Sequence, residues 1–263
     1  MRLFPSLVFV LSLTLLGCAP VTSQSGNDTQ VVLVSDVQWQ QLNPLRGDKS
    51  PKAANLWGKR TEAGPAGFLV QFVDGFSSPS HIHNVAYRGV VISGLLHNDD
   101  PKARAMWMPK GSFWTQPAGE VHITAAKGKK NIAYIEVEDS FGVLPANKAF
   151  DDGERPVNIH RTNIVWISHK SFLWGKPQKR ELNGTLVKLS AGYTGKIHNQ
   201  GRKFRTVVVQ GRVKLRHFTD KSLAPGSYFG SEGKSVHRVS CDAGVDCIVY
   251  VRAMGTYKIH QHN

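Results

Sequence analysis

Beyond its first sixteen residues the chain has no long apolar run, which argues against a bundle of membrane-spanning helices. Three cysteines in 263 residues are too few for a disulfide-dense scaffold. No long stripe of apolar residues at helical spacing is present either, so an all-α reading finds no support. Acidic residues are scarce, 19 against 33 Lys and Arg, leaving a net charge of +14. That balance favours anionic surfaces. The basic residues are scattered (Lys127-Gly-Lys-Lys130, Arg202-Lys203) and not interleaved with stacking aromatics, so no nucleic-acid partner is predicted.

What is present begins with an export-like start. Met1-Arg-Leu-Phe carries one charge and precedes Leu7-Val-Phe-Val-Leu-Ser-Leu-Thr-Leu-Leu16, which has the length of a signal-peptide core. The run ends in Leu15-Leu-Gly-Cys18, which resembles the lipobox of bacterial lipoproteins. The resemblance implies cleavage after Gly17 and acylation of Cys18, several chains giving firm anchoring. An ordinary cleaved secretory signal is the alternative. Residues 1–18 are thus read as a signal and 19–35 as a polar tether. Ala19 after the cysteine implies an outer-membrane lipoprotein facing the periplasm. The remainder, 41% hydrophobic over the whole chain, is enough for a sizeable core.

One stretch carries the chemistry. Gly75-Phe-Ser-Ser-Pro-Ser-His81-Ile-His83 places two imidazoles two apart, on one face of a strand. Gly111-Ser-Phe-Trp-Thr-Gln-Pro117-Ala-Gly119-Glu-Val-His122 adds a third after a Pro-x-Gly turn. Three neutral imidazoles suit a divalent transition metal, with Fe, Zn, Ni, Cu and Mn undistinguished. Both pieces resemble the two motifs of the cupin superfamily, G-x5-H-x-H-x3,4-E-x6-G and G-x5-P-x-G-x2-H-x3-N, with Gly94 closing the first. Tyr87 stands in place of the Glu ligand and Ala126 in place of the Asn. The resemblance implies His81, His83 and His122 as metal ligands. Tyr87 is open to three roles: weak phenolate ligand, donor near the metal, or packed aromatic. Glu120, two residues from His122, is a candidate acid or base.

The stretch recurs. Leu56-Trp-Gly-Lys59 reappears as Leu173-Trp-Gly-Lys176, and the same offset of 117 pairs Gly75 with Gly192, His81 with His198, Arg88 with Arg205 and Gly94 with Gly211. Farther on the offset is 115, pairing Gly111 with Gly226 and His122 with His237. Short β-branched and aromatic runs fill both halves: Phe68–Phe72, Val90–Leu96 and Ile132–Val137, then Thr185–Leu189, Thr206–Leu215 and Cys247–Arg252. The expected fold is all-β, two tandem cupin (jelly-roll) barrels from an internal duplication, at 36–152 and 153–263. The linker is expected around Asp151–Pro156, and the second site is read as degenerate, with Gln200 and Phe204 opposite His83 and Tyr87.

Cys241 and Cys247 flank Asp242-Ala-Gly-Val-Asp246, a turn across which a small disulfide ring can close; two free buried thiols are the alternative. The whole mature chain resembles the double-cupin proteins related to the cupin domain of the anti-sigma factor ChrR. That resemblance implies either a three-His dioxygenase acting on a small organic molecule, or a non-catalytic ligand- or metal-binding sensor of the envelope. Pairing into a homodimer is left open.

Overall fold

The computed structural model describes residues 29–261. The signal-like segment, Cys18 and most of the expected tether lie outside the described residues. Among the described residues every regular element is a strand or a short 3-10 turn.

The first half supplies β1 (Gln30–Val32), β2 (Gln40–Gln41), β3 (Lys52–Trp57), β4 (Ala66–Phe72) and β5 (His81–His83). It continues with β6 (Tyr87–Asp99), β7 (Met108–Pro109), β8 (Phe113–Gln116), β9 (Ile123–Val137) and β10 (Val143–Pro145). The second half supplies β11 (Val157–Ile159), β12 (Lys170–Gly175), β13 (Leu182–Leu189), β14 (Thr194–Asn199) and β15 (Lys203–Gln210). It ends with β16 (Val213–Leu215), β17 (Tyr228–Glu232), β18 (Ser235–Cys241), β19 (Cys247–Met254) and β20 (Tyr257–Gln261).

Each half has one large antiparallel sheet and one small one. The large sheets run β11-β8-β6-β9-β4-β3-β2, with β7 on β6, and β1-β17-β15-β19-β13-β12. The small ones are β10-β5 and β16-β18-β14-β20. The run Thr206–Leu215 is not one strand: it breaks after Gln210 at Gly211, where φ is +76° and a Cβ would meet the Cys247 sulfur at 2.7 Å.

Alternation explains why the central strands are apolar at nearly every position. On β4, Phe68 and Val70 face the interior of the first half, while Leu69 faces the second half. On β15, Val208 faces the interior of the second half, while Val207 and Val209 face the first. Both faces of each large sheet are therefore buried, and the runs lose the usual inside-outside alternation. Each fully buried Leu or Val contributes about 2 kcal/mol of transfer energy.

The chain crosses between halves at its ends. β1, inside the segment read as tether, pairs with β17 of the second half. β11, past the irregular linker at 151–156, pairs with β8 of the first. The exchange is reciprocal, so the sheets do not divide at residue 152.

A polar network sits in the face between the halves. Trp57 Nε1 donates to Tyr134 Oη at 3.1 Å, and Trp174 Nε1 to Tyr250 Oη at 2.9 Å. Both phenols donate to the Glu136 carboxylate. Arg252, at the position that matches Glu136, reaches Glu136 at 3.4 Å and grips Glu138 with two bonds of 2.9 Å. The pairing satisfies charges that would otherwise be costly in so dry a place.

Candidate metal centre

The three histidines meet on the small sheet of the first half. His81 and His83 alternate with the fully buried Ile82 along β5 and point the same way. His81 and His122 form an antiparallel bridge, each N–H donating to the other's carbonyl at 3.1 and 3.0 Å. The turn that delivers His122 depends on Gly119, with φ of +74° and an N–H bonded to the His83 carbonyl. A Cβ there would meet the Phe150 carbonyl oxygen at 2.4 Å.

One ligand atom from each imidazole lies within 4.8 Å of the others. Every Nδ1 is engaged by a main-chain carbonyl: His81 by Pro79 at 2.8 Å, His83 by Gly142 at 2.8 Å and His122 by Glu120 at 3.0 Å. A carbonyl only accepts, so each Nδ1 carries the proton and each Nε2 keeps its lone pair. Burial lowers all three pKa values, that of His122 to about 4 and that of His83 well below its usual value, with neighbouring imidazoles adding to the effect at His83 and His122. At neutral pH the set is thus uncharged and has no proton to displace. The donor set fits a divalent transition metal.

Tyr87 lies beside the histidines, its ring edge-on to that of His83. Its hydroxyl donates to Asn98 Oδ1 at 2.8 Å and stands 3.4 Å from His122 Nε2. Burial pushes the phenol pKa up. Burial and the bond to Asn98 favour the neutral phenol, a donor beside the histidines. Asn98 also accepts from Thr124 Oγ1 and donates to Gln116, both at 2.8 Å, and Gln116 donates to the Glu120 carbonyl. Glu120 therefore orients His122 through its main chain. Asp151 chiefly raises the pKa of the Arg155 guanidinium, and the Glu120 carboxylate adds to that effect.

Asn98, Gln116, Thr124 and Phe141 were not legible as site residues. Phe141 stacks on His83, with ring centres 4.2 Å apart and planes at 18°. Of the aromatics near the motif, Trp114 packs inside the first half and Phe113 faces the second.

The second half departs from its expected alignment. His237 corresponds to His122, but its strand partner is Ile197, not His198. Ile197 is fully buried where His81 stands in the first half, while His198 faces outward beside His260, ring centres 4.8 Å apart. The cause is a bulge. Between the bridges Ser77–Ala125 and His81–His122 one strand advances four residues and the other three. Between Thr194–Ser240 and Ile197–His237 both advance three. The extra residue at 78–80 turns His81 and His83 inward. A compensating residue in the turn after Asn199 restores the offset by Phe204, so an ungapped alignment hides the slip. Only His237 remains of a ligand set, and Ser231 and Ser235 hydroxyls occupy its Nε2 at 3.1 and 3.2 Å.

Cys241 and Cys247 form a disulfide across the turn that joins β18 to β19.

A jelly-roll fold with histidines converging on its small sheet defines a cupin-type protein. Over residues 30–260 the sequence matches a domain of unknown function, DUF4437, and the chain belongs to that family. No curated protein matches the sequence. Among solved structures the chain is similar to a putative dioxygenase from Nostoc punctiforme, 12% identical, covering 90% of this chain and 88% of that one, with a TM-score of 0.66. It is similar also to salicylate 1,2-dioxygenase from Pseudoaminobacter salicylatoxidans, 12% identical, covering 92% and 87%, with a TM-score of 0.56. A third is a bacterial pirin from Escherichia coli in complex with nickel(II), 9% identical, covering 87% and 100%, with a TM-score of 0.57. At these identities the likeness is one of fold.

Proposed function

We propose that the protein is a metal-dependent dioxygenase of cupin type that acts on a small organic molecule through His81, His83 and His122. One observation carries the reading: three neutral imidazoles, two buried and that of His81 half-buried, whose Nδ1 atoms are all fixed by carbonyls, presenting three Nε2 lone pairs toward one point. A bound metal supplies Lewis acidity and electron transfer. The chain's own part is to offer three neutral donors and no carboxylate: His81, His83 and His122 would hold the ion. Phe141 fixes the plane of His83 and screens it from water, and the Tyr87–Asn98–Gln116 chain fixes the wall behind His122.

The lipobox-like sequence at Cys18 supports a lipid-anchored protein of the cell envelope, facing the periplasm from the outer membrane. The matched glycines, Gly75 with Gly192 (φ +71° and +74°) and Gly94 with Gly211 (+77° and +76°), support duplication of one barrel.

Elemental analysis of protein purified without an affinity tag, followed by O2-uptake assays on panels of small organic acids and thiols, tests the function. Iron with substrate-dependent uptake supports the oxygenase. A redox-inert metal with no uptake by any reconstituted form contradicts it and leaves a ligand-binding lipoprotein.

A further inference from the structure

Where the turn before β8 meets the large sheet of the second half, a cleft of about 100 Å³ opens, lined by Lys110, Arg161 and Lys188 together with Ile164, Trp166 and Gln210. No acidic residue lines it, and among the described residues none of the three cations makes an ion pair. The Lys188 ammonium sits 4.8 Å above the Trp166 ring. A larger cleft, about 150 Å³, carries Lys203, Arg205 and Arg252, but there Glu232 pairs with Arg205, and Glu136 and Glu138 pair with Arg252. The smaller cleft holds like charges together with no counter-charge from the protein.

The relation between the halves shows that the fold does not need these charges. Arg161 N–H donates to Ser112 Oγ at 3.0 Å, and Val34 N–H donates to Ser227 Oγ at the same distance. Carried through the chain, that relation pairs Trp166 with Trp39, Ile164 with Val37, Lys188 with Gln71 and Lys110 with Pro225. Ile164 and Val37 are both buried in the layer between halves, and both tryptophans pack on it. The apolar floor recurs on both sides, but the three cations appear on one.

We infer that this cleft binds the phosphate group of a small phosphomonoester or of a lipid headgroup. Three cations facing no acid complement a dianion better than a single carboxylate. The guanidinium offers two parallel donors and the lysines two point charges. A cavity of about 150 Å³ accepts a benzene-sized molecule, so about 100 Å³ suits a headgroup, with the organic remainder lying over Trp166.

Inorganic phosphate titrated into the full chain, read by tryptophan fluorescence, tests the assignment. Saturable binding is expected, with the signal lost in Trp166→Phe and affinity at least tenfold weaker in Arg161→Gln/Lys188→Gln. A control with Lys127, Lys129 and Lys130 all changed to Gln should bind as wild type does. Glycerol phosphate in one arm and vesicles containing phosphatidic acid in the other distinguish the sources: binding in either, lost in the double variant, supports the site and names its ligand. No saturable binding in any arm, or equal weakening by the remote lysine control, overturns it.

Discussion

Three carbonyls, from Pro79, Gly142 and Glu120, decide which nitrogen of each imidazole faces the centre. The Pro79 and Glu120 carbonyls lie two residues before their histidines, short-range spacing of the kind that makes H-x-H and P-x-G-x2-H readable without a structure. Gly142, by contrast, comes from 59 residues beyond His83. The support around them is not local. Asn98 lies eleven residues past Tyr87, and Phe141 arrives from the loop before β10, and no pattern in the sequence links either to the histidines. The two most buried imidazoles also make a stability prediction. His122 and His237 both have pKa values lowered from 6.5 to about 4, chiefly by burial. Between those values the unfolded chain binds protons that the folded one does not, so stability falls as pH falls from about 6.5 to about 4. Each group contributes on the order of 3 kcal/mol across the window. Denaturant unfolding of chelator-treated protein at pH 7 and pH 4.5 should show the loss, reduced in His237→Phe. An unchanged pH slope in that variant would contradict the assignment for His237.

At the scale of the element, the bulge at residues 78–80 turns an ordinary strand into a ligand-bearing one. The apolar runs were legible because a strand buried on both faces must be apolar throughout. The slip of β14 was not, because a bulge in one half and a longer turn in the other cancel in the residue count. His198 was therefore expected opposite His81, and Ile197 stands there instead. Deleting Ser80 should give β5 the straight register of β14, turning His81 and His83 outward. The second half shows that the straight register is compatible with the fold. The deletion variant should keep a β-rich circular dichroism spectrum and a cooperative melt but retain no metal. Full metal occupancy in that variant would contradict the role given to the bulge.

At the scale of the whole molecule, the halves are joined by exchanged strands, a shared apolar layer and one buried charge cluster. Similar sheets diverge at one matched position, Glu136 against Arg252, and the difference becomes an ion pair across the interface. Arg252→Ala leaves Glu136 without its cation and should cost about 3–5 kcal/mol, read by denaturant unfolding, with metal content unchanged. A loss below about 1 kcal/mol would mean that water reaches the cluster. Strand exchange could not be read from residue types, since Gln30–Val32 and Val157–Ile159 are short and unremarkable and acquire partners only across the chain.

Ligand number, not fold, is expected to decide where the metal sits, so that the first half should bind an ion and its counterpart should not. Metal per chain in wild type, His122→Ala and His237→Ala, measured by elemental analysis after identical reconstitution, tests it most directly. One ion is predicted in wild type and in His237→Ala, and a fold-retaining loss in His122→Ala. Two ions in wild type, or equal loss in both variants, would contradict it.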